Sequence, residues 1–109
     1  MRLVWVSRHD LKPENHEILK KAFGDYEVIQ FPKTVKDINT LIDFANANNA
    51  DAYVVVLPPD LIQQLLVRDN RPIYRFIVER REKENGEVEF IPKGLERIVR
   101  IEVIVERIA

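Results

Sequence analysis

The feature that most constrains the fold is an apolar run near the amino terminus that ends abruptly in polar residues. Residues 3–6 are apolar without interruption and include β-branched and aromatic side chains. Such a run is typical of a strand that is buried on both faces in a parallel sheet. Polar residues follow from Ser7 onward, and Pro13 and Gly24 suit the first turn and the end of a helix. This order predicts the first strand–helix unit of an α/β fold.

Two similar units follow. Residues 26–31 and 52–57 are predicted strands, and the second of these is again continuously apolar and therefore predicted to be central. A helix is predicted to begin at Thr34, whose hydroxyl can cap it, with Asp37 at the capping-box position. A short third helix is predicted around Leu61. Up to this point the chain alternates strand and helix, which predicts a mainly parallel sheet.

The last third of the chain changes character. Residues 73–82 are predicted to form a strand, residues 83–86 a hairpin loop and residues 87–91 the returning strand. After a Pro-Lys-Gly segment, alternating apolar residues predict a further strand over residues 98–108. Together the patterns predict one domain over residues 1–109, a three-layer α/β fold with a central, mainly parallel sheet and a carboxyl-terminal antiparallel extension.

Composition excludes several classes of protein. Seventeen basic and eighteen acidic residues give a net charge of −1, which argues against a general nucleic-acid coat protein. The absence of cysteine excludes disulfides, thiolate metal sites and cysteine nucleophiles. None of the three glycines lies in a predicted strand-to-helix turn, so neither a phosphate-binding loop nor a dinucleotide fingerprint is present.

The apolar stretches are also too short for a signal-peptide core or a membrane span. We therefore expect a cytoplasmic protein without a membrane partner. No pair of histidines or carboxylates has metal-ligand spacing on a helix, and no cofactor or metal site is predicted.

The candidate site lies where the first strand ends. Ser7, Arg8, His9 and Asp10 stand in a row there, and ligands of open α/β sheets bind at the carboxyl ends of the strands. An arginine can hold a phosphate through two parallel hydrogen bonds, and a histidine can exchange a proton near neutral pH. Arg8 and His9 are thus the candidate catalytic residues, with Ser7 and Asp10 as ligand-binding residues. The alternative is that His9 caps the loop or pairs with Asp10.

Further candidates follow the other strands. Lys33 and Thr34 come after the second strand, and Asp60 comes after the third, so each could face the same crevice. Thr34 and Asp60 are more simply explained as helix caps.

Two arginines of the fourth predicted strand, Arg75 and Arg80, complete the set of candidate ligand-binding residues. Arg75 lies between two isoleucines and is predicted to be partly buried, so it must be paired or bind an anion. Pairing with Glu79 or Glu102 is the favoured alternative.

A family resemblance rests on these residues. Residues 6–9, Val-Ser-Arg-His, followed by a polar residue and a helix that begins with proline, resemble the opening of small CRISPR-associated Rossmann-like proteins of the ring-nuclease group. These are relatives of domains that sense cyclic oligoadenylates. The Val-Val-Val-Leu-Pro segment at 54–58 and the closing hairpin are also similar. Where some members continue Leu-Thr-x-x-Gln, residues 11–15 here are Leu-Lys-Pro-Glu-Asn.

The resemblance implies a concrete activity. Related proteins bind cyclic tetra-adenylate across a dimer interface and cleave it without metal, through attack of a ribose 2′-hydroxyl on the adjacent phosphorus. On this sequence Arg8 would hold the phosphate and His9 would assist proton transfer. The alternative is a non-catalytic interaction protein of the same fold. We expect a homodimer in either case, because an uncovered strand over residues 98–108 is prone to pair.

Overall fold

The computed structural model describes residues 1–102 and 105–109 and confirms the predicted α/β class. Eight elements follow one another along the chain: β1 (Arg2–Val6), α1 (Pro13–Phe23), β2 (Glu27–Phe31), α2 (Ile38–Ala47), β3 (Ala52–Val55), α3 (Pro59–Arg68), β4 (Ile73–Glu82) and β5 (Val88–Ile98). Among the described residues, no helix has the length and apolar character that crossing a bilayer would require.

The strands form one sheet in the order β2-β1-β3-β4-β5. Neighbouring strands from β2 to β4 are parallel, and β5 runs antiparallel to β4. As predicted, β1 is central, since it pairs with β2 on one side and with β3 on the other. The chain leaves β1 toward β2 and then crosses back to β3, so the carboxyl ends of β1 and β3 flank a topological switch point.

Both faces of the sheet are covered by helices, which explains the uninterrupted apolar run in β1. Leu3 and Trp5 pack with Leu19 of α1 on one face. Val4 and Val6 pack on the opposite face, where α2 and α3 contribute the buried residues Ile38, Leu41, Ala45, Ile62 and Leu65. Alternate side chains of a strand lie on opposite faces, so a strand covered on both sides needs apolar residues at every position. The result is the predicted three-layer architecture.

Helix α2 begins later than predicted. Its first residue is Ile38, and Asp37 is the residue that caps it: the Asp37 carboxylate accepts a hydrogen bond of 3.0 Å from the backbone N–H of Asn39. Aspartate caps a helix at least as well as threonine, and here it takes that position. The predicted cap at Thr34 is therefore wrong, and Thr34 lies exposed in the loop between β2 and α2.

The carboxyl-terminal strands also differ from the prediction. A single strand, β5, runs through residues 92–94 and ends at Ile98, where a separate last strand was predicted to begin. The register of β4 and β5 shifts between Ile77 and Val78, which leaves Lys93 unpaired as a bulge beside Pro92. A proline is tolerated in an edge strand at a bulge because no ladder hydrogen bond is then lost.

Of the predicted strand over residues 98–108, residues 99–102 and 105–108 are not in a strand, and Val103 and Ile104 lie outside the described residues.

The β4–β5 hairpin projects beyond the sheet. Only Ile73 and Tyr74 of β4 pair with β3, whereas β4 pairs with β5 along its whole length from Ile73 to Glu82. Because β4 is parallel to β3, the unsupported part of the hairpin extends past the carboxyl edge of the sheet. We call this part, residues 75–82 and 88–96, the ribbon; it overhangs the switch point.

Candidate functional site

The loop after β1 is held by side chains from two strands. The indole Nε1–H of Trp5 donates a hydrogen bond of 2.7 Å to the carbonyl oxygen of His9. The Gln30 amide of β2 donates to the carbonyl oxygens of Ser7 at 2.9 Å and of His9 at 3.3 Å. Within the loop, the backbone N–H of His9 donates to the Ser7 hydroxyl oxygen at 3.1 Å. The backbone of residues 7–9 is therefore fixed by the sheet.

The side chains of Arg8 and His9 are exposed on this fixed backbone. Among the described residues, neither side chain takes part in a hydrogen bond or an ion pair. The alternative in which His9 pairs with Asp10 is not what the structure shows. The Arg8 guanidinium and the His9 imidazole, at the end of the central strand, can therefore both form hydrogen bonds with a ligand.

Arg8 and His9 line a cleft of about 310 Å³ together with Ser7, Lys33 and Thr34. We call it the polar cleft. Its apolar wall is formed mainly by the segment that follows β3, including Val56, Leu57 and Pro58. The structure thus brings together five of the predicted site residues from the ends of β1 and β2. Among the described lining residues there are two cations and no carboxylate, so this cleft favours an anion.

A second cleft, of about 580 Å³, lies on the other side of the same loop. We call it the aromatic cleft, because Trp5, Phe76 and Phe90 line it along with Val78 and Pro92 of the ribbon. Trp5 and Phe76 meet edge to face, with ring centroids 5.8 Å apart. Polar residues at its rim are Asp10, Lys12, Asn15 and Arg75. The two clefts share Ser7, His9, Val56 and Leu57 and are therefore neighbours across the loop.

The two predicted arginines of β4 have different surroundings from those expected. The Arg75 side chain is 56% exposed and pairs with Glu96, its cross-strand partner in β5, rather than with Glu79 or Glu102. It is exposed because it lies on the ribbon, just past the last residue of β4 that pairs with β3. Arg80 lies opposite Phe90 farther along the ribbon and lines neither cleft.

Asp60 also lies outside both clefts. It is an exposed residue in the first turn of α3, and the residue at the cap position of that helix is Pro58, which makes no side-chain cap hydrogen bond. The cap predicted at Asp60 is therefore wrong. A carboxylate in a first turn still interacts favourably with the helix dipole, and this accounts for Asp60 without a ligand.

Sequence reasoning missed Gln30 and the aromatic cleft. Gln30 is a polar residue inside an otherwise apolar stretch of β2, between Ile29 and Phe31. A polar side chain in such a position needs a hydrogen-bond partner, and this interruption of the pattern was the available signal. Phe76 and Phe90 carried no comparable signal, because their contribution depends on where the ribbon lies.

Apart from the two clefts, a cluster of polar side chains lies at the opposite edge of the sheet. The hydroxyl of Tyr53 in β3 donates to Asp69, and Arg71 donates to the same carboxylate oxygen at 2.7 Å and to the carbonyl oxygen of Ala50 at 2.8 Å. Burial acts to raise the pKa of Asp69, but the hydrogen bonds from Tyr53 and Arg71 outweigh it and lower that pKa. These groups satisfy one another, so the cluster fastens β3 to the loop between α3 and β4.

Among residues 1–102 and 105–109, no three side chains of histidine, aspartate or glutamate are grouped closely enough to hold a metal ion. In comparisons with protein-family models, with characterised protein sequences and with solved structures, no match to this chain was found. The resemblance to the ring-nuclease group therefore stays a prediction.

Proposed function

We propose that this chain is a nucleotide-binding regulatory protein that holds a phosphodiester in the polar cleft. The observation that carries the proposal is the convergence of Arg8 and Lys33, from the ends of two neighbouring strands, on one cleft that Ser7 and Thr34 also line. Cations and hydroxyl donors are the groups that recognise phosphate oxygens. The position at the switch point of a parallel sheet supports the same assignment.

The fixed loop backbone adds to this argument. Trp5 and Gln30 hold the carbonyl groups of residues 7 and 9, so Arg8 is presented from a backbone that does not need to be ordered on binding. A binding site that is ordered in advance loses less conformational entropy when the ligand arrives. The long Arg8 side chain can bind the oxygens of either a phosphodiester or a terminal phosphate.

The activity within this proposal is cleavage of a cyclic oligoadenylate without metal. The 2′-oxygen of a ribose attacks the adjacent phosphorus, the bond from phosphorus to the 5′-oxygen breaks, and a 2′,3′-cyclic phosphate and a 5′-hydroxyl result. His9 either accepts the proton of the attacking hydroxyl or supplies the proton to the leaving oxygen. Arg8 offsets the negative charge on the phosphorane. Such a messenger acts inside the cell, so the proposed location is the cytoplasm.

A second candidate function is a non-catalytic interaction role as a homodimer. The observation that favours it is that β5 stands last in the strand order, so among the described residues no strand pairs with its outer edge. An open edge of this length is prone to pair with another strand. The proposed dimer contact thus lies at Val88–Ile98 rather than at the segment predicted from the sequence.

Calorimetric titration of the full chain with cyclic tetra-adenylate tests the first function. Replacing Arg8 by alanine should weaken binding on the order of 10- to 150-fold, the range for a lost hydrogen bond to a charged group. Arg80→Ala is the matched control, since Arg80 is an exposed arginine outside both clefts, and it should leave the affinity unchanged. An absence of binding by the unmodified protein, or equal effects of the two substitutions, would contradict the proposal.

A further inference from the structure

The outer edge of β5 has one regular section. Pro92 and the bulge at Lys93 interrupt the edge on the ribbon, and a proline or a bulge hinders pairing with a further strand. From residue 94 to residue 98 the register with β4 is regular. Among the described residues, no strand pairs with the other side of this section. Residues 94–98 are therefore the part of the edge that can accept a strand from another molecule.

The chain directly after β5 is suited to lengthen this section. Residues 99–101 are Val-Arg-Ile, so the alternation of apolar and charged side chains that is typical of a half-buried strand continues past Ile98. Val99 is nevertheless outside any strand and is 72% exposed. No glycine, proline or asparagine follows Ile98 to turn the chain back onto its own β5. A second copy of the chain, which has the same open section, can instead pair with this segment.

Symmetry limits the register of such a pairing. The twofold axis that relates two identical edge strands is perpendicular to the joined sheet, and directly opposite residues of antiparallel strands lie on the same face. One residue of each chain must therefore lie opposite its own copy. An axis at Glu96, Arg97 or Arg100 would place two like charges opposite each other. An axis at Val99 would place Glu96 opposite Glu102, and like charges in that position are destabilising.

An axis at Ile98 gives opposite charges instead. It places Arg100 of each copy opposite Glu96 of the other, so the same ion pair forms twice across the interface. The same register places Leu95 opposite Ile101, and apolar cross-strand pairs also stabilise a sheet. Among the axes at residues 96–100, this is the register that combines complementary charges with an apolar pair.

The ion pairs that these two charged residues form within one chain are compatible with this arrangement. Arg100 pairs with Glu102 at 2.9 Å, and their side chains are 76% and 57% exposed. An ion pair so exposed contributes little to stability, so Arg100 can exchange Glu102 for a carboxylate of the second copy. Glu96 pairs with Arg75 through Oε1, and its other carboxylate oxygen can accept a hydrogen bond from Arg100.

We propose that two copies of this chain pair through residues 95–101 as antiparallel strands, with Ile98 on the twofold axis and Arg100 of each copy opposite Glu96 of the other. This inference rests on the second candidate function, the homodimer, and adds the register of its contact. The five strands of each copy then form one continuous sheet. Because the axis reverses the strand direction, the two polar clefts lie at opposite edges of that sheet, and each is formed by one copy alone.

Light scattering of the full chain over a dilution series tests the charge pair. Arg100→Glu brings a carboxylate opposite Glu96 at two symmetric places and should raise the dissociation constant of the dimer at least about fivefold. Arg107→Glu is the matched control, because it makes the same charge change at an exposed arginine outside the paired residues. It should leave the dissociation constant unchanged. Both arginines lie outside the strands, and circular dichroism should show an unaltered fold for both variants.

Disulfide cross-linking tests the register, since the chain contains no cysteine. In an equal mixture of Arg97→Cys and Val99→Cys, the two thiols lie directly opposite each other, and mild oxidation should link one chain of each kind. Val99→Cys alone should cross-link far less, because its two thiols are diagonal neighbours with Cα atoms too far apart for a disulfide.

The outcomes separate this inference from the homodimer on which it rests. Equal effects of Arg100→Glu and Arg107→Glu on a dimer that does form, or cross-linking that is most efficient for Val99→Cys alone, would overturn the proposed register and leave the homodimer in place. The mass of a single chain for the unmodified protein at micromolar concentration would overturn the register and the second candidate function together.

Discussion

The indole Nε1–H of Trp5 is hydrogen-bonded to the carbonyl oxygen of His9 at 2.7 Å, and this bond ties the buried core of the sheet to the loop that carries the candidate site. The Trp5 side chain is only 6% exposed, so water cannot easily replace the carbonyl as its partner. A buried donor without a partner costs more than an exposed one. The core therefore determines the backbone position from which Arg8 and His9 extend.

Gln30 should contribute to the stability of this arrangement through its amide N–H groups. Gln30→Leu removes the donor to the Ser7 and His9 carbonyl oxygens and should lower the free energy of unfolding by about 1 kcal/mol. Gln30→Glu should cost more at neutral pH, because a carboxylate would then face those same oxygens. Urea denaturation measures both, with Gln63→Leu on the exposed side of α3 as the control. Equal stability of the leucine and glutamate variants would show that the amide does not hold the loop.

Tyr53 should stabilise the opposite edge of the sheet by a charge-assisted hydrogen bond. Its side chain is fully buried and its hydroxyl donates to Asp69. Tyr53→Phe keeps the ring in place and should cost about 1.5–3 kcal/mol, the range for a hydrogen bond to a charged group. The matched control is Tyr74→Phe, since the Tyr74 hydroxyl has no hydrogen-bond partner among the described residues. Chemical denaturation that gave the two variants the same midpoint would contradict this prediction.

Asp69 should make the free energy of unfolding depend on pH in the acidic range. The hydrogen bonds from Tyr53 and Arg71 place its folded pKa below the ordinary value of 3.8. The stabilising contribution is thus complete above pH 3.8 and is lost as the pH falls through the lower, folded pKa. We expect Asp69→Asn to be less stable than the parent at neutral pH, with the difference narrowing as the pH falls below that value. Thermal denaturation at a series of pH values would refute the assignment if the difference stayed constant.

If His9 transfers a proton in the proposed cleavage, its side chain should lower the free energy of the transition state and contribute little to the affinity for the ligand. His9→Ala should lower the single-turnover rate on cyclic tetra-adenylate roughly 10²–10⁴-fold and leave the affinity nearly unchanged. The melting temperature should not change either, since the imidazole makes no contact that the backbone needs. His16→Ala is the control, because His16 is the other histidine and lies outside both clefts. Cleavage by His9→Ala at the parent rate would exclude the catalytic role.

The open edge of β5 should support a dimer in solution. Light scattering at micromolar concentration should give about twice the chain mass of 12.8 kDa. Hydrogen exchange should then show protection of β5 amides on its outer edge, which a monomer would leave open to water. The mass of a single chain, together with rapid exchange along that edge, would exclude pairing there.

Much of the fold could be predicted because it follows from local patterns. The apolar run at residues 3–6 requires cover on both faces, and α1 begins at Pro13 and ends immediately before Gly24, as predicted. The predicted limits of β4 at Ile73 and Glu82 are likewise confirmed. These elements depend on the spacing of apolar residues and on prolines and glycines, which act over a few positions of the chain.

The candidate site could be predicted only in part, for the same reason. Arg8, His9 and Lys33 were identifiable because each follows a strand, and parallel strands end at a common edge. The roles of the other predicted residues depended on which neighbour offered the better interaction. Asp37, rather than Thr34, caps α2, and Glu96 is the partner of Arg75 because β5 lies beside β4 in that register.

What only the tertiary structure decided is the aromatic cleft. Trp5, Phe76 and Phe90 come from distant parts of the chain and line the same cleft. They do so because β4 extends beyond the carboxyl end of β3, and β5, which pairs with β4 along its whole length, extends past the edge of the sheet with it. The amino-acid sequence determines that each of these side chains is apolar and lies on a strand. It does not show which of them will share a surface, because that depends on strand register and on the extension of the ribbon, and both result from packing between segments far apart in sequence.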